Sequence, residues 1–218
     1  TVNRAADISR VEDLEGKRLG VPLGFASNPA VWLRGILEHQ HGVSPESITW
    51  VEGERDSLGD PSYPKPVRFR REKQENLESS LENHLIDALV VAGGNATLAD
   101  TVRLLVDDPY PLLKRYFDAT NVFPINTMLV IKQESVSTNP GLVNAVCRAM
   151  DEATDIYMTE EPDDSMHQGL RVGSLRQMGL FPRAQGIGVH GDSVQAAVDY
   201  LYTTEIIKRR WTLDELFA

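Results

Sequence analysis

The sequence predicts an α/β protein built on a parallel sheet, and two features of the chain indicate this fold class. Short apolar runs of strand length alternate with longer segments of helical periodicity between residues 16 and 92. Proline and glycine stand between these segments, where strands and helices usually end. Parallel strands need a crossover connection, which is usually a helix, so this order favours parallel pairing with right-handed crossovers.

The first strand and the helix after it carry the strongest local signals. In DLEGKRLGVPLGF we predict a short buried strand over Leu19–Val21, which Pro22 ends. Asn28 and Pro29 are typical of a helix cap followed by a first-turn proline, so we expect the helix to start there. It ends at Gly42, because glycine readily adopts the left-handed conformation that often follows a helix.

The next segments repeat the same order. A strand over Ile48–Val51 precedes a charged surface loop over residues 52–71, which contains three prolines. Leu77, Leu81 and Leu85 recur at helical spacing, and the apolar run IDALVVA has the length of a buried strand. Four basic residues stand beside this helix: Arg68, Arg70, Arg71 and Lys73. We interpret them as a solvated charge cluster, with the alternative that one of them faces a ligand cleft.

The rest of the chain is predicted to be mostly helical. We expect helices over residues 97–106 and in PLLKRYF, and then a buried strand over Thr127–Ile131. An Asn-Pro pair starts a long helix that runs to about Met158, and residues 165–217 are mostly helical. Cys147 lies in the apolar-periodic part of the long helix and is interpreted as a small core residue.

These elements predict an unequal division of the chain. Residues 16–124 can form a compact three-layer lobe, and residues 1–15 are expected to cross between lobes. Residues 125–218 offer a single strand with several helices, which cannot form a parallel sheet alone. They either pack on this lobe, which we call lobe 2, or form the C-terminal part of lobe 1, whose other strands lie upstream of Thr1. We expect the second arrangement.

Composition excludes some classes of function. The formal net charge is −10, with 22 Lys and Arg against 32 Asp and Glu, which argues against a nucleic-acid surface. No apolar run is long enough to span a bilayer, so no membrane insertion is expected. A single cysteine and five dispersed histidines form no metal motif. No cofactor is predicted, while dependence on a divalent metal and assembly as a homodimer stay open.

Candidate ligand-binding residues lie at three junctions of the predicted fold. In open parallel sheets, ligands bind beyond the carboxyl ends of strands, where loops lead into helix N-termini that favour anions. The segments GFASNPA, AGGNAT and FPINT are such junctions, and an arginine one turn into the first helix can bind a carboxylate through two hydrogen bonds. The candidates are Phe25, Ser27, Asn28, Arg34, Gly93, Gly94, Asn95, Asn126 and Thr127.

Each candidate also has a purely structural interpretation. Asn before Pro is commonly only a cap, Gly-Gly after a strand is commonly only a turn, and Arg34 suits a surface salt bridge equally well. No catalytic residue is assigned, because no histidine falls at a junction and no P-loop or nucleophile motif occurs. The residues alone therefore predict a site for a small anionic organic ligand.

Longer blocks of the chain resemble a known family. The stretch GVPLGFASNPAVWLRGILEHQHGVSPESITWVEG, with RFRREKQENLESSLENHLIDALVVA, FPINTMLVIK and WTLDELFA, resembles the 4,5-dihydroxyphthalate decarboxylase-like family. DLEGKRLGVP with LENHLIDALVVA resembles the second lobe of type II periplasmic solute-binding proteins. This resemblance implies two three-layer lobes with a ligand cleft between them, the first lobe being incomplete in this chain. One departure is that Leu23 and Gly24 stand where the family usually has an acidic and an aromatic residue.

The resemblance implies a function in bacterial aromatic degradation. It implies a carbon–carbon lyase that removes CO2 from a dihydroxylated aromatic dicarboxylate, with Arg34, Ser27 and Asn28 binding carboxylates. The alternatives are a non-catalytic solute receptor for a similar anion and a biosynthetic enzyme of the same fold. An enzyme would be cytoplasmic and a receptor periplasmic. Lobe closure is expected in each case, about hinges near residues 8–15 and 120–126.

Overall fold

In this computed structural model the described residues are 1–53, 69–91, 99–167, 170–178 and 186–217. The strands are β1 (Val2–Asn3), β2 (Arg18–Val21), β3 (Thr49–Glu52), β4 (Arg70–Lys73), β5 (Ala88–Leu89), β6 (Val102–Arg103), β7 (Met166–His167) and β8 (Leu170–Arg171). The helices are α1 (Asn28–His41), α2 (Leu77–Glu82), α3 (Tyr110–Thr120), α4 (Gln133–Thr138), α5 (Leu142–Glu160), α6 (Val172–Met178), α7 (Ile187–Thr203) and α8 (Leu213–Leu216).

The main sheet is mixed and has the strand order β4-β3-β2-β5-β1-β6. Strand β2 pairs in parallel with β3 and β5, and β3 pairs in parallel with β4. Strand β1 runs antiparallel to both of its neighbours. Strands β7 and β8 pair antiparallel in a separate two-stranded sheet. The predicted α/β class and the parallel pairing of the strand–helix–strand segment are confirmed.

The main sheet separates two apolar clusters. Successive side chains of a strand point to opposite faces, so Trp50 and Val51 of β3 belong to different clusters. Trp50 packs in the cluster that includes Leu37 of α1, whereas Val51 packs in the cluster that includes Leu77 of α2. Gly20 allows side chains on the α2 face to pack directly against β2, since a Cβ at Gly20 would lie 2.8 Å from the Ile86 side chain. The sheet is therefore the middle of three layers, between α1 and α2.

Helix α1 follows its sequence signals to within one residue. It begins at Asn28, so the residue before the helix is Ser27, which has extended backbone, and Pro29 lies in the first turn. It ends where predicted, because Gly42 adopts φ 65° and its N–H donates to the carbonyl oxygens of Glu38 and Leu37.

Two predicted elements differ in the structure. Part of the segment predicted as a charged loop is strand β4, which pairs with β3 along its whole length, from Arg70↔Thr49 to Lys73↔Glu52. The helix predicted over residues 97–106 is wrong, because β6 lies there and pairs with β1. In both cases pairing with a distant strand outweighs the local pattern.

Residues 127–160 differ from the prediction in burial. Within the described part of the chain, no strand is assigned to residues 127–131, and Val130 is 85% exposed. Helix α5 contains no buried residue, and Cys147 is exposed rather than in a core. A strand needs a hydrogen-bonded neighbour and an apolar helix face needs a covering surface, and the described residues supply neither here.

The last long helix covers the outer side of α1. Helix α7 packs on α1, where Tyr200 joins a buried cluster with Val31 and Trp32. The division of the chain at residue 124 stays a prediction. None of the described helices is long and apolar enough to cross a membrane.

Candidate functional site

The connection from β2 to α1 is a tight turn that directly follows the carboxyl end of β2. Gly24 has φ 87°, and its N–H donates to the carbonyl oxygen of Val21 at 3.1 Å. Its own carbonyl oxygen accepts from the N–H of Ser27 at 3.2 Å and from the Ser27 hydroxyl at 2.7 Å. This backbone conformation favours glycine, so Gly24 lets the chain turn directly into the helix.

A small pocket lies beside this turn. It is lined by Val21, Pro22, Leu23, Ser27, Pro29, Ala30 and Val90. The pocket therefore lies at the carboxyl ends of β2 and β5 and at the N-terminus of α1, where open α/β sheets commonly bind ligands. Among these lining residues only Ser27 has a polar side chain, so the walls are mainly apolar, while the helix N-terminus favours an anion.

A buried carboxylate lies next to this pocket. Glu52, the last residue of β3, is directly opposite Val21 in the parallel register and is only 4% exposed. Its Oε1 accepts from the N–H of Phe25 at 2.9 Å. Its Oε2 accepts from Nε and Nη2 of Arg71 at 3.1 and 2.6 Å. These charge-assisted hydrogen bonds offset the cost of burying the charge and tie β3, β4 and the turn before α1 together.

Phe25 forms the centre of an aromatic and cationic cluster. Its ring contacts Trp50 edge-on at 5.7 Å and Phe69 at 5.2 Å between centroids. The guanidinium carbon of Arg34 lies 3.9 Å from the centroid of the Phe25 ring, within the range of cation–π attraction. Nη1 of Arg34 donates to the carbonyl oxygen of Phe25 at 2.5 Å. Arg34 is fully buried. Through this hydrogen bond and the cation–π contact it stabilises the turn that precedes α1.

The structure brings together two predicted candidates that are far apart in sequence. Nδ2 of Asn28 donates to the side-chain oxygen of Asn126 at 2.9 Å and to its carbonyl oxygen at 3.0 Å. The carbonyl oxygen of Ile125 accepts from Nδ2 of Asn28 at 3.0 Å and from Nε1 of Trp32 at 2.8 Å. These hydrogen bonds hold Ile125 and Asn126 against the first turns of α1, near the pocket.

The remaining candidates are placed differently. Thr127 follows Asn126 and is exposed. Gly93, Gly94 and Asn95 lie outside the described residues. Their ligand-binding roles, like those of the other candidates, stay predictions. In the described ranges no group of three or more His, Cys, Asp or Glu side chains could hold a metal ion.

Glu52 and Arg71 are not among the predicted candidates. The sequence pattern places Glu52 in a surface loop and Arg71 in a basic cluster that is interpreted as solvated, with the alternative that one of its members faces a ligand cleft. A signal for Glu52 does exist, since it directly follows the apolar run ITWV and so ends a strand at the ligand-binding edge. For Arg71, only the pairing of β4 with β3 reveals that its side chain lies on the face of Trp50.

Helix α1 is also supported from its outer side. The hydroxyl groups of Tyr116 and Tyr200 lie 2.5 Å apart in a buried hydrogen bond, and burial raises the pKa of both groups above its ordinary value. Gly35 allows the Tyr200 ring to lie against α1, since a Cβ at Gly35 would come within 2.1 Å of that ring. The position of α1 at the pocket is therefore determined by contacts on two sides.

Comparison with known proteins gives a consistent likeness. No protein-family model matches the chain. A 4,5-dihydroxyphthalate decarboxylase from Comamonas testosteroni is 26% identical over 170 residues, which cover 72% of this chain and 50% of that protein. A 4,5-dihydroxyphthalate decarboxylase from Pseudomonas putida is 40% identical over 52 residues, which cover 24% of this chain and 20% of that protein. The chain resembles 4,5-dihydroxyphthalate decarboxylases.

This resemblance is at the level of the family. The aligned part of the Comamonas protein is half of its length, so the chain spans about half the length of the curated relatives it matches. The expected likeness to the 4,5-dihydroxyphthalate decarboxylase-like family is thus supported by two proteins of that name.

Proposed function

We propose that this chain binds a small aromatic dicarboxylate at the N-terminus of α1, in a cleft of which the small pocket forms one wall, as part of a non-oxidative lyase that acts on 4,5-dihydroxyphthalate or a similar compound. The observation that carries the proposal is the position of the pocket. It lies at the carboxyl ends of two parallel strands and at a helix N-terminus, in a chain similar over 72% of its length to a 4,5-dihydroxyphthalate decarboxylase.

The pocket supplies two kinds of interaction that this ligand needs. The first N–H groups of a helix have no partner within the helix and attract a carboxylate, which the helix dipole also favours. The hydroxyl of Ser27 now donates to the carbonyl oxygen of Gly24, and we propose that a ligand oxygen takes the place of that acceptor. Pro22, Leu23 and Val90 would contact the ring.

The proposed reaction replaces one carboxylate of the ring by hydrogen. The bond between the ring carbon and the carboxylate carbon breaks, CO2 leaves, and a proton is added to the same ring carbon. The electron pair left on the ring is stabilised by the ring and its hydroxyl groups until the proton arrives. A general acid with a pKa near neutrality would speed that step. A two-lobed arrangement, with the pocket facing a cleft, is part of this proposal.

Turnover by the full-length gene product tests the proposal. The protein is incubated with 4,5-dihydroxyphthalate, with and without an added divalent metal, and chromatography follows the substrate and dihydroxybenzoate. We expect many equivalents of dihydroxybenzoate per protein. Retention of one equivalent without product would favour the solute-receptor alternative, and neither product nor retention would overturn the proposal.

Two serines provide a matched test of where the ligand binds. Ser27→Ala removes the hydroxyl at the pocket, and we expect it to weaken binding of 4,5-dihydroxyphthalate roughly tenfold, the value of one hydrogen bond. Ser47→Ala is the control, because the Ser47 hydroxyl also donates at 2.7 Å to a carbonyl oxygen three residues earlier, but outside the pocket. Calorimetry measures both. An equal change in the two variants would argue against binding at Ser27.

A further inference from the structure

We propose that Arg71, oriented by the buried carboxylate of Glu52, binds one carboxylate of the ligand. The inference rests on the function proposed above and extends it, because it assigns a charged group on the same face of the sheet as the pocket. Arg71 is thereby a binding residue, and Glu52 is a positioning residue that acts through Arg71.

The first step of the inference concerns Glu52. A carboxylate that is 4% exposed is costly to bury, and replacing such an ion pair by apolar side chains commonly leaves stability unchanged or improved. Stability alone therefore explains a buried Glu52 poorly. Glu52 instead fixes the relative positions of two groups, because its two oxygens accept hydrogen bonds from the N–H of Phe25 and from the guanidinium of Arg71.

The second step concerns the direction in which Arg71 points. Arg71 is directly opposite Trp50 in the β3–β4 register, so its side chain lies on the α1 face of the sheet. Its guanidinium carbon is 5.3 Å from the centroid of the Phe25 ring, in the turn that precedes α1. Two residues after Phe25 comes Ser27, which lines the pocket. Arg71 is therefore on the pocket's side of the sheet.

The third step concerns access and chemistry. The side chain of Arg71 keeps 23% of its surface exposed, whereas that of Glu52 keeps 5% and Arg34 is fully buried. Of these three charged groups, Arg71 therefore has the most exposed side chain. A planar guanidinium held by Glu52 is already oriented, so it can bind a carboxylate with little loss of side-chain freedom.

Ligand affinity in four variants of the full-length protein tests this assignment. Calorimetry with 4,5-dihydroxyphthalate and with phthalate compares Arg71→Met, Arg71→Lys, Glu52→Gln and the double variant Arg71→Met/Glu52→Gln. We expect Arg71→Met to weaken binding roughly 10-fold to 100-fold, as for lost hydrogen bonds to a charged group. Arg71→Lys should recover only part of this loss, because an ammonium cannot bind in two-pronged fashion.

The double variant separates positioning from a general structural effect. If Glu52 acts through Arg71, Glu52→Gln weakens binding in the original protein but adds no further loss once Arg71 is Met. Independent, additive losses would overturn the positioning role. Arg70→Met is the matched control, because Arg70 is the adjacent arginine of β4, is exposed and donates from Nη2 to the carbonyl oxygen of Ser47. Thermal unfolding confirms that each variant is folded before its affinity is compared.

The outcomes distinguish this inference from the proposed function. Normal affinity in a folded Arg71→Met variant overturns the role of Arg71 and leaves the proposed function standing. Loss of phthalate binding in Arg71→Met, in a protein that does not bind the dihydroxy compound, supports Arg71 and overturns the proposed substrate. Failure of the unaltered protein to bind either compound overturns both.

Discussion

Helices α1 and α5 have similar sequence patterns and very different surroundings. Both carry apolar side chains at helical spacing, and α5 is the longer of the two, with 19 residues against 14. Helix α1 buries six residues between the sheet and α7, whereas α5 buries none within the described structure. Met150 of α5, for example, is 44% exposed. Amphipathic spacing therefore predicts that a helix has an apolar face, but not that a covering surface is present.

The same contrast holds for the two apolar strand segments. Thr49, Trp50 and Val51 of the run ITWV lie in β3, because β2 lies on one side of it and β4 on the other. The apolar run TMLVI was also predicted to be a strand, but no strand is assigned to it in the described residues. A strand is defined by its neighbour's hydrogen bonds, so local propensity can only nominate it.

The largest expected difference in the free energy of unfolding is between a truncation in the core beneath α1 and a truncation on α5. Trp50→Ala should lower the free energy of unfolding by about 3–5 kcal/mol, because Trp50 is fully buried and its Nε1 donates to the carbonyl oxygen of Pro45. Met150→Ala should change it by no more than about 0.5 kcal/mol. Urea unfolding measures both variants. A large loss for Met150→Ala would break the comparison, since it would show that the α5 face is covered.

A pair of glycines tests the comparison through close packing. Gly35→Ala should lower the free energy of unfolding by about 1–3 kcal/mol, because the new Cβ collides with the Tyr200 ring and forces overpacking. At Gly141, which precedes α5, a Cβ would meet nothing within 4 Å. Gly141→Ala should therefore stay within about 0.5 kcal/mol of the original protein. Thermal unfolding distinguishes them, and equal effects would contradict the packing of Tyr200 on α1.

The smallest expected effect is electrostatic and depends on pH. Hydrogen bonds from the N–H groups of Ser9 and Arg10 lower the pKa of Asp13 from 3.8 to about 2. Because the folded pKa is depressed, ionised Asp13 stabilises the fold above about pH 4, and this contribution disappears as pH falls towards 2. Asp13→Asn should thus be slightly less stable than the original protein at pH 7.

A pH series of urea unfolding checks this prediction. The difference between the original protein and Asp13→Asn should shrink steadily between pH 4 and pH 2. Glu152→Gln, which alters an exposed carboxylate on α5, is the control in the other region. A difference in the free energy of unfolding that does not depend on pH would show that the charge of Asp13 is not the source of its stabilising effect.

The parts that could be predicted from the sequence are those whose cause is local. Pro29 and Gly42 mark the ends of α1 because a proline ring and a left-handed glycine act within one turn of chain. A small pocket lies at the first predicted junction, where β2 leads into α1, while ligand binding there stays a prediction. Ser27 and Asn28 were accordingly expected near it, and Ser27 lines the pocket while Asn28 contacts Asn126.

The parts that could not be predicted depend on partners far away in the chain. Strand β4 is a run of charged residues, and only its pairing with β3 turns Arg71 towards Phe25 and Glu52. Residues 97–106 were predicted to form a helix, yet Val102 and Arg103 pair with β1 in the sheet. Cys147 was expected in a core because its neighbours are apolar, but no described surface covers them.

The sequence by itself determined the α/β class, the ends of α1 and the sheet edge at which a ligand is expected, because turn chemistry, capping and hydrophobic period act over a few residues. Only the tertiary structure decided that Arg34 is buried against Phe25, that Arg71 donates hydrogen bonds to Glu52, and that Asn28 donates a hydrogen bond to Asn126. Those contacts join residues up to 98 positions apart. They depend on strand register and helix packing, which no short stretch of sequence contains.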